Sequence, residues 1–247
     1  MIVDRDELVH YLDNFLMCEK FKDSAIQGMQ VQGKRQIRKI IMGVSVSSQL
    51  FEYAQNQKAD MIIVHHGLFW QRESRVIKGV LKKRIKLLLD SDISLAAYHL
   101  PLDAHPQIGN NAIAARQLNL RNITVLGDCG VCGVIKQISL EKLLITLKEI
   151  YHSEQVFFAY GPEKIRRVGF CSGEAARDIL HAIDMHCDVF ITGTAEEPTP
   201  HLAKEAAIHF IAIGHYASEK AGIQALGQHI AARFHIDVQF VDIPNPI

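Results

Sequence analysis

Short apolar runs alternate with amphipathic stretches along almost the whole chain. The runs predict strands near residues 38–46, 61–65, 94–99, 122–126, 133–138, 155–159, 166–171, 188–192, 208–213 and 237–241. Between them, polar-punctuated segments with apolar positions three and four apart predict helices near 4–17, 48–57, 79–90, 110–118, 140–151, 175–184, 200–207 and 217–233. Alternation of this kind argues for an α/β fold with a largely parallel, buried sheet.

The two halves echo each other. In the first, IIMGVS leads through a helix to ADMIIVHHG, then through another helix to SLAAYH. In the second, RVGFCSG leads to CDVFITG and then to HFIAIGH. Each half is thus strand, helix, Asp-led strand ending at a Gly, helix, and a strand ending at a His. Any two βαβ stretches share part of this pattern, so the echo alone leaves duplication open. The division it predicts is two similar α/β domains, 1–126 and 127–247, with a cleft between them. The last helix and strand are placed to return to the first domain.

Composition narrows the class. Of 247 residues, 48% are hydrophobic and 22% charged, and Lys plus Arg balance Asp plus Glu at 27 each. A formal charge of +0 supplies no molecule-wide basic field, which argues against nucleic acid as the main partner. The opening MIVDRDELVHYLDNFL carries acids early and lacks the layout of a signal peptide. Runs such as MIIV and FIAI fall far short of the ~20 residues that cross a membrane. Cys18, Cys129, Cys132, Cys171 and Cys187 are odd in number and scattered, so a reducing, cytoplasmic setting is expected.

Three strand ends carry residues suited to chemistry. At the first, MIIV runs into His65-His66-Gly67; ligands of open α/β sheets bind beyond the carboxyl ends of strands. With 13 histidines in the chain an adjacent pair arises readily by chance, so the dipeptide is weak alone. At the second, AAYHLPLDAHPQIGNN sets Asp103 between His99 and His105, with Asn110 and Asn111 reading as the cap of the next helix. At the third, FIAIGHYASEKAG places His215 and Glu219 four apart on one helix face; Glu219 alone could be a first-turn acid. Together the three form a mixed nitrogen and oxygen donor set. Three histidines (His65, His66, His215) and two carboxylates (Asp103, Glu219) exceed one closed tetrahedral site and suit two divalent ions. Zn, Mn, Fe, Co and Ni all accept such donors.

The segments ADMIIVHHGLFW, HLPLDAHPQIGNN, FITG and GHYASEKAGI resemble the Nif-three-like dinuclear-metal family, also called GTP cyclohydrolase 1 type 2, from about Gly28 to the C-terminal FVDIPNP. The resemblance implies two similar α/β domains, a toroidal homohexamer (a trimer of dimers), and two metals in the inter-domain cleft. By matching position the ligands are His65, His66, Asp103, His215 and Glu219, with Glu219 touching both ions. Three features depart from the family pattern: Gln27 stands for Asn before Gly28, Thr194 for Glu after ITG, and CSGEAA for a Gly-rich turn.

The function expected is therefore metal-dependent hydrolysis of a small molecule, a nucleotide such as GTP by the resemblance, with His99 as proton shuttle. The competing expectation is a non-catalytic, metal-containing ring that binds partners or nucleic acid. CGVC at 129–132 reads as a turn before a strand, since no second CxxC or neighbouring His joins it. KGVLKKRIKLLL reads as a solvated basic face or a phosphate-binding rim, and Phe69 and Trp70 as packing or a purine platform. Walker, G-x-G-x-x-G and G-x-S-x-G motifs are absent.

Overall fold

The computed structural model describes residues 1–74 and 76–247. It divides into two compact units: Met1–Leu102 with Gly222–Ile243, and Asp103–Ala221 with Pro244–Ile247.

The first unit is built on a five-stranded sheet in the order Asp237–Phe240, Lys39–Ser45, Met61–His66, Ser94–Ala97, Gly28–Val31. The first four run parallel and Gly28–Val31 lies antiparallel on the edge. Ile40, Ile41, Met42 and the run Met61–Val64 are fully buried, because a parallel strand covered on both faces needs apolar side chains on both. Leu50, Phe51, Ala54 and Leu88 from the flanking helices join Ile41, Ile62, Val64 and Leu95 in one core.

The second unit carries a six-stranded sheet in the order Arg121–Leu126, Gly130–Ile138, Ile165–Cys171, Val189–Thr192, His209–Ala212, Val156–Ala159. Only the middle run of three is parallel; the outer strands are antiparallel. The expected parallel sheet thus describes most of the first unit but half of the second. Hairpin connections such as the turn between Arg121–Leu126 and Gly130–Ile138 require antiparallel neighbours. That hairpin lies wholly within the second unit.

Within each unit the central strands repeat one plan. Ile40 pairs with Met61 and Met61 with Ser94; in the second, Val168 pairs with Val189 and Val189 with His209. The Asp that leads each middle strand does the same work twice. Asp60 Oδ2 accepts from the N–H of Arg38 (2.9 Å) and Lys39 (3.2 Å). Asp188 Oδ2 accepts from the N–H of Arg166 and Arg167, both at 2.7 Å. Burial alone would push the Asp60 carboxyl up, but Lys34 and the two N–H groups outweigh it and hold it below its ordinary value. Asp60→Ala leaves those donors in need of partners and is expected to cost about 2 kcal/mol in urea unfolding; a loss below about 0.5 kcal/mol would contradict this role.

Candidate metal centre

In the first unit the Met61–His66 strand delivers two histidines at its carboxyl end. His65 is fully buried, and its Nδ1 lies 2.8 Å from the Tyr98 carbonyl. A carbonyl only accepts, so Nδ1 carries the proton and Nε2 holds the lone pair. Metal-ligating histidines are oriented by this kind of bond. His66 Nδ1 is 2.9 Å from the Ser45 hydroxyl on the neighbouring strand. Gly67 follows because a Cβ there would stand 2.4 Å from the Gln30 amide nitrogen and 2.7 Å from Ala97 Cβ.

His99 joins this pair: one ring nitrogen from each of His65, His66 and His99 lies within 4.8 Å of the other two. The strand expected to end at His99 stops at Ala97, and Leu100–Asp103 forms a helical turn whose early Pro101 forfeits no helical hydrogen bond. His99 Nδ1 sits 2.9 Å from Asp23 Oδ2. Asp23 also accepts from the N–H of Ala25 and Leu100 and from the Gln27 amide, while Gln27 Oε1 accepts from the His99 N–H. Gln27 thereby holds both members of the Asp–His pair.

Burial opposes ionisation of Asp23, yet the hydrogen bonds from His99, Ala25 and Leu100 outweigh it and set its carboxyl below the usual 3.8. The Asp23 contribution to stability is therefore present above that ordinary value and is lost as pH falls through the lower folded one. Asp23→Asn is expected to cost about 1–3 kcal/mol at pH 7 and progressively less below about pH 4. Urea unfolding at pH 7 and pH 3 reads the difference; an equal cost at both would refute the assignment.

In the second unit Asp103 is buried, and its Oδ1 accepts from Asn110 Nδ2 and Ser172 Oγ, both at 2.8 Å. Asn111 Nδ2 donates to the Asp103 carbonyl at 3.3 Å, and its Oδ1 accepts from the Ser172 N–H at 2.9 Å. The two asparagines expected to cap the following helix instead orient Asp103; Gly109 takes the cap position. His105 Nδ1 accepts from the N–H of Gln107 and Ile108, a turn role.

The helix His215–Phe234 opens with the third motif. His215 Nε2 lies 3.1 Å from Glu219 Oε2. Glu219 is fifth in the helix and only 2% exposed, so it is not a solvated first-turn acid. Gly173 packs against it with φ +71°, and a Cβ at that point would stand 2.3 Å from Glu219 Oε1. The Gly173 N–H donates to Ser218 Oγ at 2.9 Å, and that hydroxyl donates to the His215 carbonyl.

These residues fit a divalent cation. An Asp103 oxygen lies within 4.8 Å of a Glu219 oxygen, and both side chains are buried. Two ionised carboxylates that close repel by roughly 3 kcal/mol at an effective dielectric of ~20, which a bound cation reverses. Sequence reasoning missed Asp23 and Ser172, since neither has a motif spacing to the residue it holds. The CGVC cysteines part company: Cys129 Sγ approaches Cys171 (3.8 Å) and Cys132 Sγ approaches Cys187 (3.4 Å). On the basic helix Lys82, Lys83 and Lys86 are exposed, and Lys86 pairs with Asp90 at 2.6 Å.

The class so defined is a two-unit α/β protein whose histidine and carboxylate clusters could bind a metal. The family model of Duf34/NIF3 (NGG1p interacting factor 3) matches residues 3–246, and the chain belongs to that family. It is 42% identical over 246 residues to a protein of Haemophilus influenzae named "GTP cyclohydrolase 1 type 2 homolog", covering 97% of this chain and 98% of that one. Among solved structures, protein ybgI, of unknown function, superposes with a TM-score of 0.96 at 37% identity, covering 99% of this chain and 100% of that one. TTHA1606 from Thermus thermophilus superposes with a TM-score of 0.91 at 34% identity, again over 99% and 100%. No helix among the described residues is long and apolar enough to cross a membrane.

Proposed function

We propose that the chain is a divalent-metal-dependent hydrolase in which His65, His66, Asp103, His215 and Glu219 hold two ions. The observation that carries this reading is His65, buried and fixed through Nδ1 to the Tyr98 carbonyl with Nε2 as its donor atom. Buried Asp103 and Glu219 supply the hard oxygen donors. Ions of the Zn, Mn, Fe, Co or Ni type would supply Lewis-acid chemistry, making water acidic enough to react at neutral pH.

The chain's own residues supply the proton handling. The Asp23 carboxylate accepts from His99 Nδ1, so His99 exchanges its second proton at Nε2, beside the His65 and His66 rings at centroid distances of 5.0 and 5.5 Å. The name of the relatives supports a nucleotide substrate, with GTP the first to try. Metal-loaded protein is expected to hydrolyse GTP or a member of a phosphoester panel, with His66→Ala reducing the rate at least about a hundredfold. No turnover across the panel would refute the reading.

The same reading includes a cytoplasmic homohexamer, a trimer of dimers. The edge strand Arg121–Leu126 supports self-association, with Ile123 50% and Val125 70% exposed. Light scattering should return six chains; a monomer would contradict it. The family description as an interacting factor favours a second reading, a non-catalytic ring that binds partners or nucleic acid. A gel shift that shows no DNA binding at low salt would remove its nucleic-acid form.

A further inference from the structure

Asp23 and Trp70, which both contact His99, line a cavity of about 1010 Å³ in the first unit, at the upper end of the ~300–1,000 Å³ typical of small-molecule sites. Its lining includes Phe21, Lys22, Asp23, Trp70, Gln71 and Arg72. Two loops form it, and they are fastened to each other. Ile26 N–H donates to the Phe69 carbonyl at 3.0 Å, and Gln71 N–H to the Ser24 carbonyl at 2.7 Å. Gln71 Nε2 adds a bond to the Asp23 carbonyl at 2.7 Å. The backbone that carries Trp70 is therefore held on both sides, with Ala25 bridged to Trp70 itself.

Trp70 stands between cavity and chemistry. Its ring meets His99 edge-on, with centroids 5.1 Å apart and planes at 77°, and lies 6.1 Å from the His66 ring. The charges around it are unequal. The Asp23 carboxylate is taken up by His99 and by backbone N–H groups, whereas Lys22 and Arg72 are solvent-exposed cations. A half-buried indole with two exposed cations beside it matches a ligand that is aromatic at one end and polyanionic at the other.

We propose that this cavity is the substrate subsite of the hydrolase, where Trp70 stacks on the base of a purine nucleoside triphosphate and Lys22 and Arg72 bind its phosphates. The proposal rests on the hydrolase reading for its catalytic meaning, but the subsite binds whether or not turnover follows. Stacking on an aromatic side chain is sequence-tolerant, so Trp70 would select a flat base and the cations would select the phosphate chain. Lys22 and Arg72 thereby become specificity-determining residues.

Trp70 is the single tryptophan of the chain, so its fluorescence reports the cavity directly. GTP is titrated into the full chain, both metal-loaded and chelator-treated, alongside guanosine and inorganic tripolyphosphate. Saturable quenching by GTP in both preparations is expected, with guanosine quenching only at concentrations at least about tenfold higher and tripolyphosphate competing with GTP. The exposed double substitution Lys22→Ala and Arg72→Ala should weaken GTP at least about tenfold and leave guanosine unchanged. Trp70→Ala, followed by calorimetry, should weaken both roughly tenfold. The proposal is overturned if GTP leaves the fluorescence unmoved at millimolar concentration, or if the double variant binds GTP as the parent does. It is overturned equally if quenching disappears in chelator-treated protein. Binding without turnover would sink the hydrolase reading alone, and turnover of a non-nucleotide without quenching would sink this subsite alone.

Discussion

Glu219→Gln is expected to reduce metal retention at least about a hundredfold while leaving the fold in place. Removing even an outer-shell partner of a metal ligand costs ~10–100-fold in affinity, and losing the charge of a ligand should cost no less. The substitution keeps the shape of a side chain that is 2% exposed and packed beside Gly173, so little rearrangement is needed. What changes is the charge next to Asp103 and the partner of His215 Nε2. Metal bound only to the folded state stabilises it, so chelation should lower the melting temperature of the parent and leave that of the variant unmoved. Elemental mass spectrometry after chelator dialysis gives the companion readout. A variant that retains metal as the parent does would remove Glu219 from the proposed ligand set.

Gly173→Ala should be strongly destabilising, at roughly 2–5 kcal/mol. An L side chain at φ +71° costs about 1–2 kcal/mol in the backbone alone. The added Cβ would stand 2.3 Å from Glu219 Oε1 and 3.4 Å from His215 Nε2, and overpacking of this kind adds about 1–3 kcal/mol. Relief by a backbone shift is blocked: the Gly173 N–H donates to Ser218, and its carbonyl accepts from the Gly193 N–H and the Thr192 hydroxyl. Gly79→Ala is the control, since Gly79 has φ +55° but no atom of the described residues within 4 Å of the added Cβ, which leaves the backbone cost. Urea midpoints compare the two. Equal losses would show that the Glu219 carboxylate moves aside freely.

Much of the fold is legible because buried parallel strands demand continuous apolar runs. MIIV and VFIT declare themselves, and the Asp that precedes each ties down the start of the neighbouring strand. Gly28–Val31 was not legible: GMQV is short, half polar and antiparallel on an edge, so neither period marks it. The echo locates the repeated strands but is blind to the Arg121–Leu126 strand, which pairs with Gly130–Ile138. At the site, the residue types at the three strand ends were readable, whereas their supports were not. Asp23 reaches His99 across 76 residues of chain, and Ser172 reaches Asp103 across 69. No local spacing encodes a contact of that range. Asn110 and Asn111 were visible but assigned to a helix cap, where Gly109 serves through its backbone and frees both amides for Asp103.

Anomalous diffraction from crystals grown with zinc or cobalt tests the central claim most directly. Two peaks per chain are predicted, within coordination distance of the nitrogens of His65, His66 and His215 and the carboxylates of Asp103 and Glu219. Peaks only elsewhere, or none near these donors in crystals that contain the ion, would contradict it.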